Sequence, residues 1–205
     1  MYLQSWYVLS NQDDVCSTTR NGALGVMGAS QGTMNNFTFG NDTYQYYATI
    51  YGGAGAGEGF DGTSCVHTPL TNTCLTDPEV LAWRFPVMLE SCAIRRGSGG
   101  RGKWNDGAGA IRRVCFLEAM TAAILSGHRR IPPYGMAGGE PGQVGHNWVE
   151  HADGSTLKLT GADTVELVHG DVFVIETPGG GGYGPADNEG VRSISLSLYL
   201  VEVGL

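Results

Sequence analysis

Glycine falls in runs along this chain, and those runs constrain its fold more than any other feature. They are Gly52-Gly53-Ala54-Gly55-Ala56-Gly57-Glu58-Gly59, Gly97-Ser98-Gly99-Gly100-Arg101-Gly102-Lys103-Trp104, Tyr134-Gly135-Met136-Ala137-Gly138-Gly139-Glu140-Pro141-Gly142 and Pro178-Gly179-Gly180-Gly181-Gly182-Tyr183-Gly184. The chain holds 33 glycines in 205 residues, against about 7% in an average domain. No Gly-X-Y period accompanies them, and no serine/proline low complexity. The excess therefore predicts turns, bulges and close approach of backbones, not a fibre or a linker.

Between the glycine runs the pattern is that of short strands. Phe37-Thr38-Phe39 and Tyr44–Tyr51 read as a hairpin, and Val87–Arg95, Ala110–Phe116 and Met120–Leu125 as further strands. Trp148–His151 and Thr156–Leu159 flank Asp153-Gly154, a favoured two-residue turn. Val165–Leu167 and Val172–Thr177 flank His169-Gly170-Asp171 and read as a second hairpin, and Ile194–Leu200 alternates as a half-buried strand does. Helical signals are confined to the front. Residues 13–28 open with Asp13 and Asp14, and Thr76-Asp77-Pro78-Glu79 starts a helix that Pro86 keeps short. The expectation is a mainly β fold, sandwich- or barrel-like, with one or two N-terminal helices in a single domain over 1–205; α+β is the alternative.

The net charge of −8 is unevenly spread: nine of the twelve Lys and Arg fall between Arg84 and Arg130 against three acids, so that stretch carries +6 and the remainder −14. Overall acidity argues against a nucleic-acid partner, while the basic middle suits either an anionic ligand or solvated strand edges. Five cysteines form no C-x-x-C pair. That odd number, with no apolar run long enough for a membrane span and no secretion signal, predicts a cytoplasmic protein with no membrane partner.

The glycine runs do not read as nucleotide loops. Gly97–Trp104 satisfies G-x-x-x-x-G-K but places Trp104 where Ser or Thr must hold Mg²⁺, and Asn105-Asp106-Gly107-Ala108-Gly109 cannot start the required helix. A basic, backbone-rich anion nest of Arg96, Ser98, Gly99 and Gly100 remains open there. Gly53–Gly59 misses the dinucleotide spacing and carries Glu58, which would repel a pyrophosphate.

Chemistry concentrates in Asp61-Gly62-Thr63-Ser64-Cys65-Val66-His67-Thr68-Pro69-Leu70-Thr71-Asn72-Thr73, which is too polar for a core and too dense in hydrogen-bonding groups for an ordinary loop. It reads as a loop around a small polar ligand. His67 is a candidate base or a hydrogen-bonded structural imidazole; Asp61 would orient it, activate a water, or shape a turn. Thr71, Asn72 and Thr73 would bind a carbonyl and a carboxylate, or close a local hydroxyl–backbone turn. Thr63, Ser64, Asn35 and Asn36 complete the candidate substrate-binding set. No histidine or carboxylate spacing suits a metal, so no metal ligand is assigned.

Several segments in order carry a family likeness: Gln31–Asn36, Gly53–Gly59 with Phe60-Asp61-Gly62, Val66-His67-Thr68, Thr71-Asn72-Thr73, Thr76–Leu81, Arg96–Gly100, Pro133-Tyr134-Gly135, Gly138–Gly142 and Thr177–Gly184. Together they resemble the C-terminal part of the hydantoinase B/5-oxoprolinase family from about residue 10 to 186, leaving 187–205 as a divergent tail. The resemblance implies ATP-dependent opening of a cyclic amide, 5-oxo-L-proline to L-glutamate. ATP and Mg²⁺ would be held by a partner A-type region or subunit, and the B-type region would handle the phosphorylated intermediate. It further implies Asp61 and His67 as catalytic residues, a metal site in the N-terminal half of the B region, and assembly into an oligomer. Pro69 and Cys74 stand where the family carries a second histidine and an arginine. Two other readings stay open. One is an N-methylhydantoinase or a subunit of an acetone- or acetophenone-type carboxylase; the other is a non-catalytic assembly module or inactive fragment. In any of them the chain alone is expected to be inactive.

Overall fold

The computed structural model describes residues 26–68, 71 and 73–186. In chain order its strands are β1 (Asn36–Gly40), β2 (Gln45–Ala48), β3 (Val87–Ile94), β4 (Ala110–Phe116), β5 (Met120–Leu125), β6 (His146–Glu150), β7 (Thr156–Leu159), β8 (Ala162–Leu167) and β9 (Val172–Glu176). One short helix, α1 (Pro78–Arg84), lies between β2 and β3 among the described residues. The strands form two antiparallel sheets, ordered β2-β1-β5-β8 and β3-β4-β9-β6-β7. Among the described residues no helix is long and apolar enough to cross a membrane.

Alternation explains how the sheets meet. In β1, Phe37 and Phe39 are buried while their neighbours are half-exposed, and in β4 Val114 and Phe116 turn the same way from the other sheet. Ring pairs then bridge the layers: Phe37 lies 4.9 Å from Phe173, and Phe39 meets Phe116 edge-on at 5.3 Å. Ile50, Leu81, Val87, Val149 and Ile175 complete this core. Leu81 is the buried residue of α1, whose start follows the sequence signal: Asp77 accepts a hydrogen bond from the Glu79 N–H at 2.9 Å with Pro78 in the first turn.

The two expected hairpins at β1/β2 and β6/β7 form. The third does not. β8 pairs with β5, and β9 lies between β4 and β6 in the other sheet. The physical reason is legible in the burial. Val172-Phe173-Val174-Ile175 is buried on both faces, which suits a central strand, whereas β8 alternates and closes a sheet edge. The carboxylate of Asp171 accepts the N–H groups of Val168 and Ala152, holding the connection as it passes between sheets. Of the helix expected over 13–28, residues 13–25 lie outside the described residues, and 26–28 run extended with Met27 bridged to Gly57. The strand expected at 194–200 also lies outside them.

The glycine runs gather at the end of the sandwich where β4 and β6 begin and β3, β5 and β9 end. There the chain packs backbone on backbone with almost no ladder. The Gly28 N–H donates to Ala56 O, Ala56 to Gly181 O, Gly181 to Ala29 O, Gly180 to Gly107 O and Gly107 to Ala54 O. A Cβ at Gly53 would collide with the Gly107 carbonyl, and one at Gly181 with the Tyr134 carbonyl. Segments approaching this closely tolerate only glycine, for the reason glycine is required at a triple-helix axis.

Candidate functional site

The polar loop is threaded onto this glycine body. Residues 61–66 run beside 105–109: Gly62 N–H donates to Asn105 O at 2.8 Å and Cys65 N–H to Ala108 O at 3.0 Å. Two of the candidate side chains secure the same seam. Asp61 Oδ1 accepts the Asn105 N–H at 2.7 Å, and Ser64 Oγ accepts the Ala108 N–H at 2.9 Å. The seam then crosses back, Val66 N–H donating to Gly52 O at 3.0 Å, which sets His67 next to Tyr51.

A cluster follows from that placement. The His67 ring meets Tyr51 edge-on at 5.5 Å, and Tyr51 Oη lies 3.0 Å from Cys92 Sγ on β3. Cys92 pairs in register with Arg112 of β4, so their side chains share a sheet face. The charge of Arg112 acts on Tyr51, as do the thiols of Cys92 and Cys65. Burial and the Cys92 contact hold the Tyr51 phenol far above its ordinary range, so it stays protonated. Burial pushes the Cys65 thiol up to about 11, and Cys65 Sγ donates to Gly109 O at 3.2 Å, a bonded thiol and not a nucleophile. Both ring nitrogens of His67 are buried without a hydrogen-bond partner, and desolvation lowers its pKa, so the imidazole is neutral at neutral pH.

The remaining candidates occupy different settings. Thr71 Oγ1 donates to Thr68 O at 3.2 Å, Thr73 Oγ1 lies 2.7 Å from Thr49 Oγ1, and Thr63 is exposed. Asn72 lies outside the described residues. Asn35 is fully buried, its Nδ2 donating to Gln31 Oε1 at 2.8 Å and Ile50 O at 3.1 Å, and its Oδ1 accepting from Arg129 at 3.0 Å. Asn36 Oδ1 accepts the Tyr47 hydroxyl on β1's other face. Ser98 Oγ donates to Arg95 O and accepts the Gly109 N–H. The N–H groups of Ser98 and Gly100 donate to Arg95 O and Gly180 O, Gly99 packs on Asp106, and Arg96 is exposed. The structure thus brings Asp61, Ser64 and His67 onto one seam, packs Ser98, Gly99 and Gly100 against the same 105–109 segment, and places Asn35 and Asn36 elsewhere.

Sequence reasoning passed over two groups. Arg112 is 2% exposed; the i, i+2 spacing from Ala110 through Arg112 to Val114 and Phe116 already put it on the inward face. Asp106 sits in the glycine body with both carboxylate oxygens buried and without a well-formed hydrogen bond. Desolvation, offset in part by the nearby N–H groups of Gly107, Gly180 and Gly100, pushes its pKa up to about 8. A cavity of about 650 Å³ opens nearby between Arg129, Arg130, His146 and Lys158. Two of its polar side chains are already engaged: Arg129 with Asn35 and Asn147, His146 with Arg95 and Glu176. His67 and the Arg112 Nε, both without partners, each act on Tyr51 instead, by ring contact and by charge.

No three His, Cys, Asp or Glu side chains cluster for a metal among the described residues. The glycine loops do not fit a nucleotide either: the Gly100, Lys103 and Trp104 N–H groups are spent on Gly180, Gly184 and Tyr183 carbonyls, and the Lys103 ammonium lies over the Trp104 ring at 4.7 Å.

The model of the hydantoinase B/oxoprolinase family matches residues 14–186, and the chain belongs to that family. It is 41% identical to the 5-oxoprolinase of Dictyostelium discoideum, over 81% of this chain and 13% of that protein. It is 47% identical to the 5-oxoprolinase of Saccharomyces cerevisiae, over 78% of this chain and 14% of that protein. The chain therefore spans about one seventh of those relatives. Its fold matches that of the ATP-dependent caprolactamase from Pseudomonas jessenii, with a TM-score of 0.69 at 24% identity over 78% of this chain and 30% of that one.

Proposed function

We propose that this chain is the C-terminal part of the B-type region of an ATP-dependent cyclic-amide hydrolase that converts 5-oxo-L-proline to L-glutamate. The observation that carries this reading is the 41% to 47% identity to proteins named 5-oxoprolinase over most of this chain. An amide ring resists water because its carbonyl is resonance-stabilised and its nitrogen leaves poorly. Phosphorylation of the amide oxygen by ATP removes that protection. Nucleotide and Mg²⁺ are held by an A-type partner, in keeping with a Gly97–Trp104 loop whose Gly100, Lys103 and Trp104 N–H groups are already spent.

In this reading the B-type region hydrolyses the activated ring. His67, neutral and with unpaired ring nitrogens, accepts the proton of the attacking water. Asp61 fixes the loop to the 105–109 segment and so positions His67, and Thr63, Ser64, Thr71, Asn72 and Thr73 are the residues assigned to substrate binding. A metal, if the assembled enzyme uses one, belongs to the N-terminal half of the B region. Free thiols at Cys65, Cys74, Cys92 and Cys115 support a cytoplasmic setting.

The test is reconstitution with the A-type and remaining B-type regions. Glutamate should form from 5-oxo-L-proline and ATP, and Asp61→Ala or His67→Ala should each cut turnover by about 100-fold or more. Full turnover in both variants would overturn the catalytic assignment. Dependence on bicarbonate would instead support a carboxylase subunit. Co-purification with the A-type partner, with activity indifferent to the 61–73 loop, would support an assembly module.

A further inference from the structure

Three arginines of the basic stretch enter the interior, and two of them have internal partners. Arg95 donates to Val144 O at 2.7 Å and Thr177 O at 3.3 Å and pairs with Glu176 at 3.1 Å. Arg129 donates to Gly127 O at 2.8 Å and to Asn35 Oδ1 and Asn147 Oδ1 at 3.0 Å. Arg112 is the most buried of the three; its Nε, like that of Arg129, is buried with no acceptor, and unlike Arg95 and Arg129 its guanidinium forms no ion pair or hydrogen bond among the described residues. Burying part of a guanidinium without an acceptor is costly, and Arg95 and Arg129 show that this fold supplies acceptors to the terminal nitrogens of a structural cation. The described residues supply none to Arg112.

The groups around Arg112 are those that complete an oxyanion site. Tyr51 offers a protonated hydroxyl whose present contact is the Cys92 thiol at 3.0 Å, and His67 stands against the Tyr51 ring with unpaired ring nitrogens. The cluster opens at β3, the edge strand, where Cys92 is exposed. We propose that Arg112, with the Tyr51 hydroxyl, is a subsite beside His67 for the carboxylate of a small-molecule substrate, gripped by the planar guanidinium fork. A carboxylate is favoured over a phosphoryl dianion by charge. The cluster presents one fixed positive charge, its imidazole is neutral, and the nearest buried cations are neutralised or shared elsewhere. This deepens the cyclic-amide reading and rests on it: the ring substrate would be one bearing a carboxylate, held by Arg112 while the amide faces His67.

The decisive experiment uses the 205-residue chain, with the Arg112 Nε–H and His67 ring resonances followed by NMR against four probes: 5-oxo-L-proline, 2-pyrrolidinone (the same ring without a carboxylate), acetate and inorganic phosphate. 5-Oxo-L-proline should shift both residues and 2-pyrrolidinone neither. Arg112→Met should weaken 5-oxo-L-proline binding by about 10- to 100-fold while the melting temperature stays level or rises, because it removes a buried unpaired charge. Arg112→Lys keeps the charge but not the fork, and should also lose affinity. Acetate seating on Arg112 while 5-oxo-L-proline does not would uphold the carboxylate subsite and remove 5-oxo-L-proline as the substrate. Equal binding of the two rings, response to phosphate alone, or a fall in melting temperature with binding unchanged in Arg112→Met would each overturn the subsite.

Discussion

The sandwich and the glycine body solve the same packing problem by opposite means. Between the sheets, side chains such as Phe37, Phe116 and Phe173 fill the space and backbones stay apart. In the glycine body, side chains are absent and backbones touch, hydrogen-bonded segment to segment through Gly28, Ala56, Gly107, Gly180 and Gly181. The first design accepts volume changes at a graded cost. The second has no slack, and it carries its few polar side chains into surroundings where water cannot follow.

That contrast orders the effects of substitution. Phe173→Ala should cost the most, about 3–5 kcal/mol, by leaving a cavity between the sheets. Adding only a methyl, as Gly53→Ala, should cost about 1–3 kcal/mol, because its Cβ meets the Gly107 carbonyl. Urea denaturation of both variants measures the difference, and an untroubled Gly53→Ala would break the account of the glycine body.

The next effect is one of pH. The pKa of Asp106 rises from 3.8 to about 8, so the folded protein keeps a proton that the unfolded chain releases near pH 4. Stability is therefore greatest below that point and declines as pH rises toward 8, by an amount on the order of a few kcal/mol. Asp106→Asn should flatten this decline, as seen in melting temperatures from pH 4 to 8. A profile unchanged by the substitution would show that the carboxylate is better solvated than its packing implies.

The smallest effect separates the two arginines. Arg129→Met strands the Asn35 and Asn147 carbonyl oxygens and should cost about 1–3 kcal/mol. Arg112→Met strands no acceptor and should be close to neutral in stability. Equal losses would mean that Arg112 is a structural cation like its neighbour.

The sequence made the strands legible wherever alternation and turn residues coincided, as at β1, β4 and the Asp153-Gly154 hairpin. Local pattern could not show that β8 and β9 part company. Adjacent strands with a glycine turn look alike whether they pair or switch sheets, and only the unbroken apolar run at 172–175 distinguishes a central strand. At the site, the loop at 61–67 stood out by composition. Arg112 did not, because a charged residue in a basic stretch reads as solvated until its inward register is counted. Asp106 was hidden among turn-forming neighbours, and its surroundings depend in part on Gly180, which comes from a distant run.

The account's central claim is that the polar seam between sandwich and glycine body holds a carboxylate-bearing cyclic amide, with Arg112 on the carboxylate. Its most direct test is the KM for 5-oxo-L-proline in the reconstituted enzyme carrying Arg112→Met. The account predicts a rise of about 10- to 100-fold with the assembled protein as stable as the parent. An unchanged KM in an active, folded variant would contradict it.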